Sequence, residues 1–152
     1  SSSNEHEILI DQGSQQGLRE QMAVIVEEGH MIGYTSQVNN HTSTVTLLKN
    51  LNSRIPVAIL GETRTLGLVS GQEGFLLKMD FIPQTENLSQ GDVVVTSGLD
   101  GNFPSGLIVG VVSEVIQIET SNFQEALIEP IFAPEDFSNV LILDPFNETY
   151  AQ

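Results

Sequence analysis

Three histidines, His6, His30 and His41, are the side chains best suited to general-base work near neutral pH. A nucleophilic-serine mechanism needs one of them held against a serine and oriented by an aspartate. The serines to weigh are Ser97 and Ser105, which share one glycine-rich turn segment. Neither stands in a Gly-Asp-Ser-Gly setting, His6 lies in a polar N-terminal stretch, and His30 and His41 flank one strand beside turn residues. They read as solvent-exposed turn histidines. A zinc site fares no better, because neither His30 nor His41 has a short-range His or carboxylate partner at ligand spacing. Asp100-Gly101-Asn102 matches the start of a calcium loop superficially, but the later Glu is missing. The absence of cysteine removes disulfides, thiolate metal sites and thiol catalysis together. No glycine-rich loop precedes a helix to cradle phosphate. A glycosidase needs a close carboxylate pair with one member raised in pKa, which residue types alone do not specify. These residues point to no catalytic centre, no metal and no cofactor.

The bounds set by composition agree. The chain has 152 residues, enough for one ordinary domain or two small ones, and 39% of them are hydrophobic, so a core is expected. Twenty acidic against five basic residues give a net charge of −15. Such a surface repels nucleic-acid phosphates and anionic lipid heads, and favours basic partners. No apolar run approaches the roughly 18 residues that span a bilayer. The opening Ser1-Ser2-Ser3 is read as the edge of a longer protein whose membrane anchor lies upstream.

The elements that must position these residues are strands. No window places apolar residues at helical spacing, whereas β-branched runs separated by Gly, Pro and Asn recur along the chain. Strands are expected near 8–10, 23–26, 31–38, 44–48 and 55–60, and again near 75–77, 93–95, 107–115, 126–128 and 140–143. The halves share a grammar. Ile32-Gly-Tyr-Thr-Ser-Gln-Val38 aligns with Val109-Gly-Val-Val-Ser-Glu-Val115, with the Gly, the Ser and the final Val in common. An all-β fold of two small side-by-side barrels follows, with very little helix. The expected division is a tail over 1–7, a first barrel over 8–66, a second over 67–146 and a tail over 147–152. The polar segment 61–67 serves as connector, and the last strand near 140–143 is free to return to the first barrel. Gly33 and Gly110 interrupt strands and are assigned to bulges or tight bends. Gly98, Gly101, Pro104 and Gly106 shape a wide turn between two strands. Phe103, in that turn, is either a protruding contact or a plug over a barrel end. Tyr34, Phe75, Phe81, Phe123, Phe132 and Phe137 are expected mostly in the core.

The segment Gly91–Val112, GDVVVTSGLDGNFPSGLIVGVV, resembles the most typical stretch of the rod shape-determining protein MreC family. That family shows a Gly-Asp, a Val run, Thr-Ser-Gly, a turn, Phe-Pro-x-Gly and a Val-Gly strand in this order. Ile8–Gly17, Met31-Ile-Gly33 with Val38, and Ile55-Pro56-Val57 are similar to its earlier segments. The resemblance implies two packed six-stranded barrels, in outline like a chymotrypsin-like double barrel without a triad. It implies a non-catalytic scaffold of the cell-elongation, peptidoglycan-synthesising machinery, outside the cytoplasmic membrane and held there by an N-terminal anchor. Implied partners are the class B penicillin-binding transpeptidase, MreD and further copies of itself. Ile32, Tyr34 and Phe103 are the candidate contact residues. Two other readings stand beside this one: a trypsin-like serine hydrolase, and a peptidoglycan- or carbohydrate-binding β module.

Overall fold

Short β-branched runs punctuated by turn residues leave the backbone little choice but extended pairing. The computed structural model describes residues 6–131, 140–144 and 149–151. Among these residues the strands are β1 (Glu7–Ile10), β2 (Ala23–Val26), β3 (His30–Val38), β4 (Ser43–Leu47), β5 (Arg54–Leu60) and β6 (Arg64–Ser70). They are followed by β7 (Leu77–Pro83), β8 (Val93–Thr96), β9 (Ile108–Ile116), β10 (Phe123–Glu129), β11 (Leu141–Leu143) and β12 (Thr149–Ala151). Helical geometry among the described residues is confined to single 3-10 turns at 14–16 and 27–29. The all-β expectation holds. Two tail expectations do not: Glu7 opens β1 opposite Thr46, and 149–151 pair with β11.

Pairing closes one ring. β5, β6, β7, β10, β9 and β8 hydrogen-bond in that order, and β8 returns to β5, all antiparallel. The remaining strands form a sheet ordered β1-β4-β3-β2-β11-β12. A single parallel contact, His30 against Ile108, joins β3 of the sheet to β9 of the ring. The segment expected as a connector is a tight β5–β6 hairpin, and the expected boundary at 66/67 falls inside β6, whose partners both lie in the ring. Thr65 is buried there and Gly67 packs under Met79, so this polar, glycine-bounded stretch is structural.

The two halves repeat with an exchange. β7 to β10 pair with one another as β1 to β4 do; β5, with β6 beyond it, adds to β8, and β11, with β12 beyond it, adds to β2. The hairpin that follows each set of four strands has thus crossed to the other set. Bulges repeat as well. Ile32 and Val109 are unopposed residues just before Gly33 and Gly110, and Ser36 and Ser113 are unopposed further along the same strands. A Cβ on Gly33 would run into the Thr46 carbonyl oxygen, and one on Gly110 into that of Glu129. Close backbone approach fixes both as glycine.

Two apolar clusters fill the interior. The larger occupies the ring, with Ile55, Val57, Ile59, Val69, Leu77, Met79, Val94, Val112 and Ile128 among its members, and extends to Ala23, Ile25, Met31 and Tyr34 of the sheet. The smaller lies on the sheet's opposite face, around Met22, Val24, Val26, Ile32, Val45 and Ile142. β2 is therefore buried on both faces. That is why Ala23-Val24-Ile25-Val26 is apolar at every position instead of alternating.

Candidate interaction surface

Of the side chains weighed for chemistry, Ser97, His30 and Asp100 are engaged by the backbone around them. The Ser97 hydroxyl oxygen accepts the Leu99 amide at 3.3 Å, and His30 Nδ1 lies 2.7 Å from the Glu27 carbonyl oxygen. Asp100 Oδ1 accepts the amides of Asn102 (3.2 Å) and Phe103 (3.5 Å), so it caps the loop that resembled a calcium site. Among the described residues no three of His, Cys, Asp and Glu gather to hold a metal ion.

The wide turn after β8 is a built structure. Gly98, Gly101 and Gly106 all take left-handed backbone angles, with φ of 77°, 75° and 91°. Thr96 ties the turn's two ends, its hydroxyl donating to the Pro104 carbonyl (2.5 Å) and accepting the Leu107 amide (2.9 Å). This lowers Phe103 onto Tyr34, with ring centroids 5.5 Å apart and planes tilted by 50°. Ile32, Tyr34 and Phe103 are all buried. The contact residues expected from the sequence thus face inward: Phe103 is the plug, Tyr34 receives it from the sheet, and Ile32 belongs to the second cluster. Phe103 and Tyr34 thus join ring and sheet, whereas Ile32 packs on the sheet's other face.

Other aromatics were expected inside and are not. Phe75, Phe81 and Phe123 are exposed, while Phe132 and Phe137 lie outside the described residues. Phe81 has φ of 65° at a bulge where Glu125 of β10 faces both Asp80 and Phe81, and its ring meets Phe123 edge-on at 5.9 Å. The bulge overrides the strand's alternation and turns Phe81 out. Beside it, Lys78 Nζ stands 3.9 Å from both Asp80 and Glu125 carboxylate oxygens. Desolvation, together with a hydrogen bond that the protonated Glu125 carboxyl donates to Asp80, raises the Glu125 pKa above its usual value. The outer face over β7 and β10 is thus charged.

The outer face over β6, β5 and β8 is apolar. Inward positions of β5 are Ile55, Val57 and Ile59, so Pro56, Ala58 and Leu60 point outward. Register sets Leu66 and Val95 beside Ala58, Leu68 beside Pro56, and Val93 beside Leu60, with Val111 next to Val93. Leu60, Leu66 and Val93 remain 49%, 41% and 36% exposed. Barrel exteriors in water normally alternate to polar residues here. The signal was present in Arg54–Leu60, which is apolar at both parities after its first residue. Glu62 and Asp92 border this flank, and a Cβ on Gly61 would fall 2.8 Å from Asp92 Oδ2. Glu86 Oε1 accepts the Thr65 hydroxyl at 2.7 Å at the same end. Arg64 reaches across β5 to the Ser97 carbonyl oxygen (3.1 Å).

Residues 1–144 match the family model described as rod shape-determining protein MreC, barrel core. The cell shape-determining protein MreC of Geobacillus stearothermophilus is 34% identical over 151 residues, covering 91% of this chain and 51% of that protein. The chain thus spans about half the length of such curated relatives. Among solved structures, MreC of Listeria monocytogenes superposes with a TM-score of 0.87 at 28% identity, over 97% of this chain and 71% of that one. A chain of the complex between the penicillin-binding protein PBP2 and MreC from Helicobacter pylori gives 0.78 at 25% identity, over 93% and 88%.

Proposed function

The chain belongs to the rod shape-determining protein MreC family, and from that premise we propose that it is a non-catalytic scaffold that maintains cell shape by gripping the peptidoglycan-synthesising machinery. The partner is a class B penicillin-binding transpeptidase, met on the cell-wall side of the cytoplasmic membrane. The full-length protein is held there by an N-terminal anchor, contacts MreD and associates with itself. The observation that carries the reading is the likeness, across most of both chains, to a relative solved in complex with a penicillin-binding protein. The acidic surface and the apolar outer flank of the ring support it, because a binding protein needs a face that its own core does not use.

Isothermal titration of the chain against the soluble transpeptidase domain from the same bacterium tests the proposal. A saturable one-to-one isotherm is expected. No heat and no co-migration on a sizing column, at concentrations of tens of micromolar, would remove it.

A further inference from the structure

The ring's outer wall has two chemically different halves, and one of them carries neighbouring apolar positions on three successive strands. On β7 and β10 the outward side chains are mixed: Lys78, Asp80, Glu125 and Glu129 accompany the single exposed pair Phe81 and Phe123. On β6, β5 and β8, which lie across the ring, the outward positions include Leu66, Leu68, Pro56, Ala58, Leu60 and Val93, with Arg54 opening β5 and Arg64 opening β6. Their exposure contributes nothing to the fold, since the larger cluster fills the ring from the inward positions of the same strands. The backbone beneath is rigid, each strand being bonded on both sides. A preorganised face loses little entropy on docking.

The surrounding charge selects the occupant. Glu62, Asp92 and Glu86 gather at the β5–β6 turn end of the flank, whereas the nearby Arg64 is turned to the Ser97 carbonyl. An anionic lipid surface is repelled by a chain of net charge −15. A second copy would set one net charge of −15 against another. A protein that carries an apolar strip bordered by Lys or Arg meets neither obstacle. We propose that the outer flank of β6, β5 and β8, centred on Leu60, Leu66 and Val93, is the docking face for the partner protein, and that the partner presents an apolar strip flanked by basic side chains. This rests on the scaffold reading above and states where and by what chemistry the grip is made.

The experiment compares Leu66→Lys, Leu66→Glu and Val93→Lys with the wild-type chain in titration against the same soluble transpeptidase domain. Lys78→Glu on the opposite wall serves as control. Each altered residue is solvent-accessible, and unchanged thermal unfolding shows that each variant is folded. Expected are wild-type binding, at least a tenfold loss for Val93→Lys and Leu66→Lys, a smaller loss for Leu66→Glu, and no change for Lys78→Glu. Glu62→Lys is expected to slow association and flatten its salt dependence. Wild-type binding with flank variants equally tight overturns the docking face and leaves the scaffold reading intact. No wild-type binding overturns both. A concentration-dependent dimer in sedimentation that Leu66→Lys abolishes overturns the heterologous occupant in favour of a second copy.

Discussion

The closed ring and the sheet, which is open among the described residues, are built on one strand order, yet they differ in how each strand is held. In the ring, every strand is bonded on two sides; in the sheet, β1 and β12 each have one partner strand among the described residues. The ring core is enclosed by its own strands, while the sheet covers one face with the smaller cluster and lends the other to the ring through Ala23, Ile25, Met31 and Tyr34. Closure costs freedom to relax. The same chemical lesion is therefore expected to be more damaging in the ring than at the matching place in the sheet.

Cavities give the largest test. Ile55→Ala in the ring is expected to cost about 4 kcal/mol and Ile142→Ala in the sheet about 3 kcal/mol, because the enclosed site collapses less readily. Both side chains are fully buried, so urea unfolding compares them fairly. Equal costs, or the reverse order, would break the comparison.

The paired glycines come next. Ala at Gly110 meets the Glu129 carbonyl oxygen and lies 2.9 Å from Ile128 Cγ2; Ala at Gly33 meets the Thr46 carbonyl oxygen and lies 3.1 Å from Leu47 Cα. Overpacking of this kind is expected to cost about 3 kcal/mol at Gly110 and about 2 kcal/mol at Gly33. Denaturation midpoints of the two single variants check the order.

A smaller effect sharpens the sheet alone. Arg19 makes a bidentate pair with Asp144, at 2.9 and 3.0 Å, between residues 125 positions apart, and the Asp144 side chain is 1% exposed. Arg19→Ala leaves that carboxylate without its guanidinium and is expected to cost about 2 kcal/mol. Amide exchange should quicken at 141–143 while the ring amides keep their rates.

The smallest effect belongs to the ring's charged wall. A raised carboxyl pKa means that the folded state holds the Glu125 proton more tightly than the unfolded chain does. Its contribution to stability is present below the unfolded pKa and is lost as pH rises through the folded value. Glu125→Gln is therefore expected to stabilise the protein at pH 7, by about 0.3 kcal/mol or less because the pair is partly exposed, and to change nothing at pH 4. A gain at acid pH and none at neutral pH would contradict the assignment.

Much of the strand pattern was legible because β-branched runs and turn residues act locally. So was the repeat, since Gly33 and Gly110, and Ser36 and Ser113, occupy equivalent bulges. Partner choice was not legible. Nothing in Arg54–Ser70 states that its neighbours are β7 and β8, which follow it, instead of the strands before it, so the boundary was expected in the wrong place. The glycines of 61–67 signalled a connector where they serve a hairpin turn and close packing on Met79. Phe81 and Phe123 misled because hydrophobicity implies burial only when the strand's alternation is intact, and the bulge shifts it. Phe103 carried two readings until its contact with Tyr34 chose the plug. The flank was readable in principle, as β5 lacks the polar alternate that an outer wall in water requires.

Hydroxyl-radical footprinting of the chain, alone and bound to the soluble transpeptidase domain, tests the central claim most directly because it reads side chains. Leu60, Leu66 and Val93 should lose reactivity in the complex, while Leu9 of β1 and the exposed Phe75 keep theirs. Full reactivity at those three positions in a demonstrated complex, with protection at Leu9 or Phe75 instead, would contradict it.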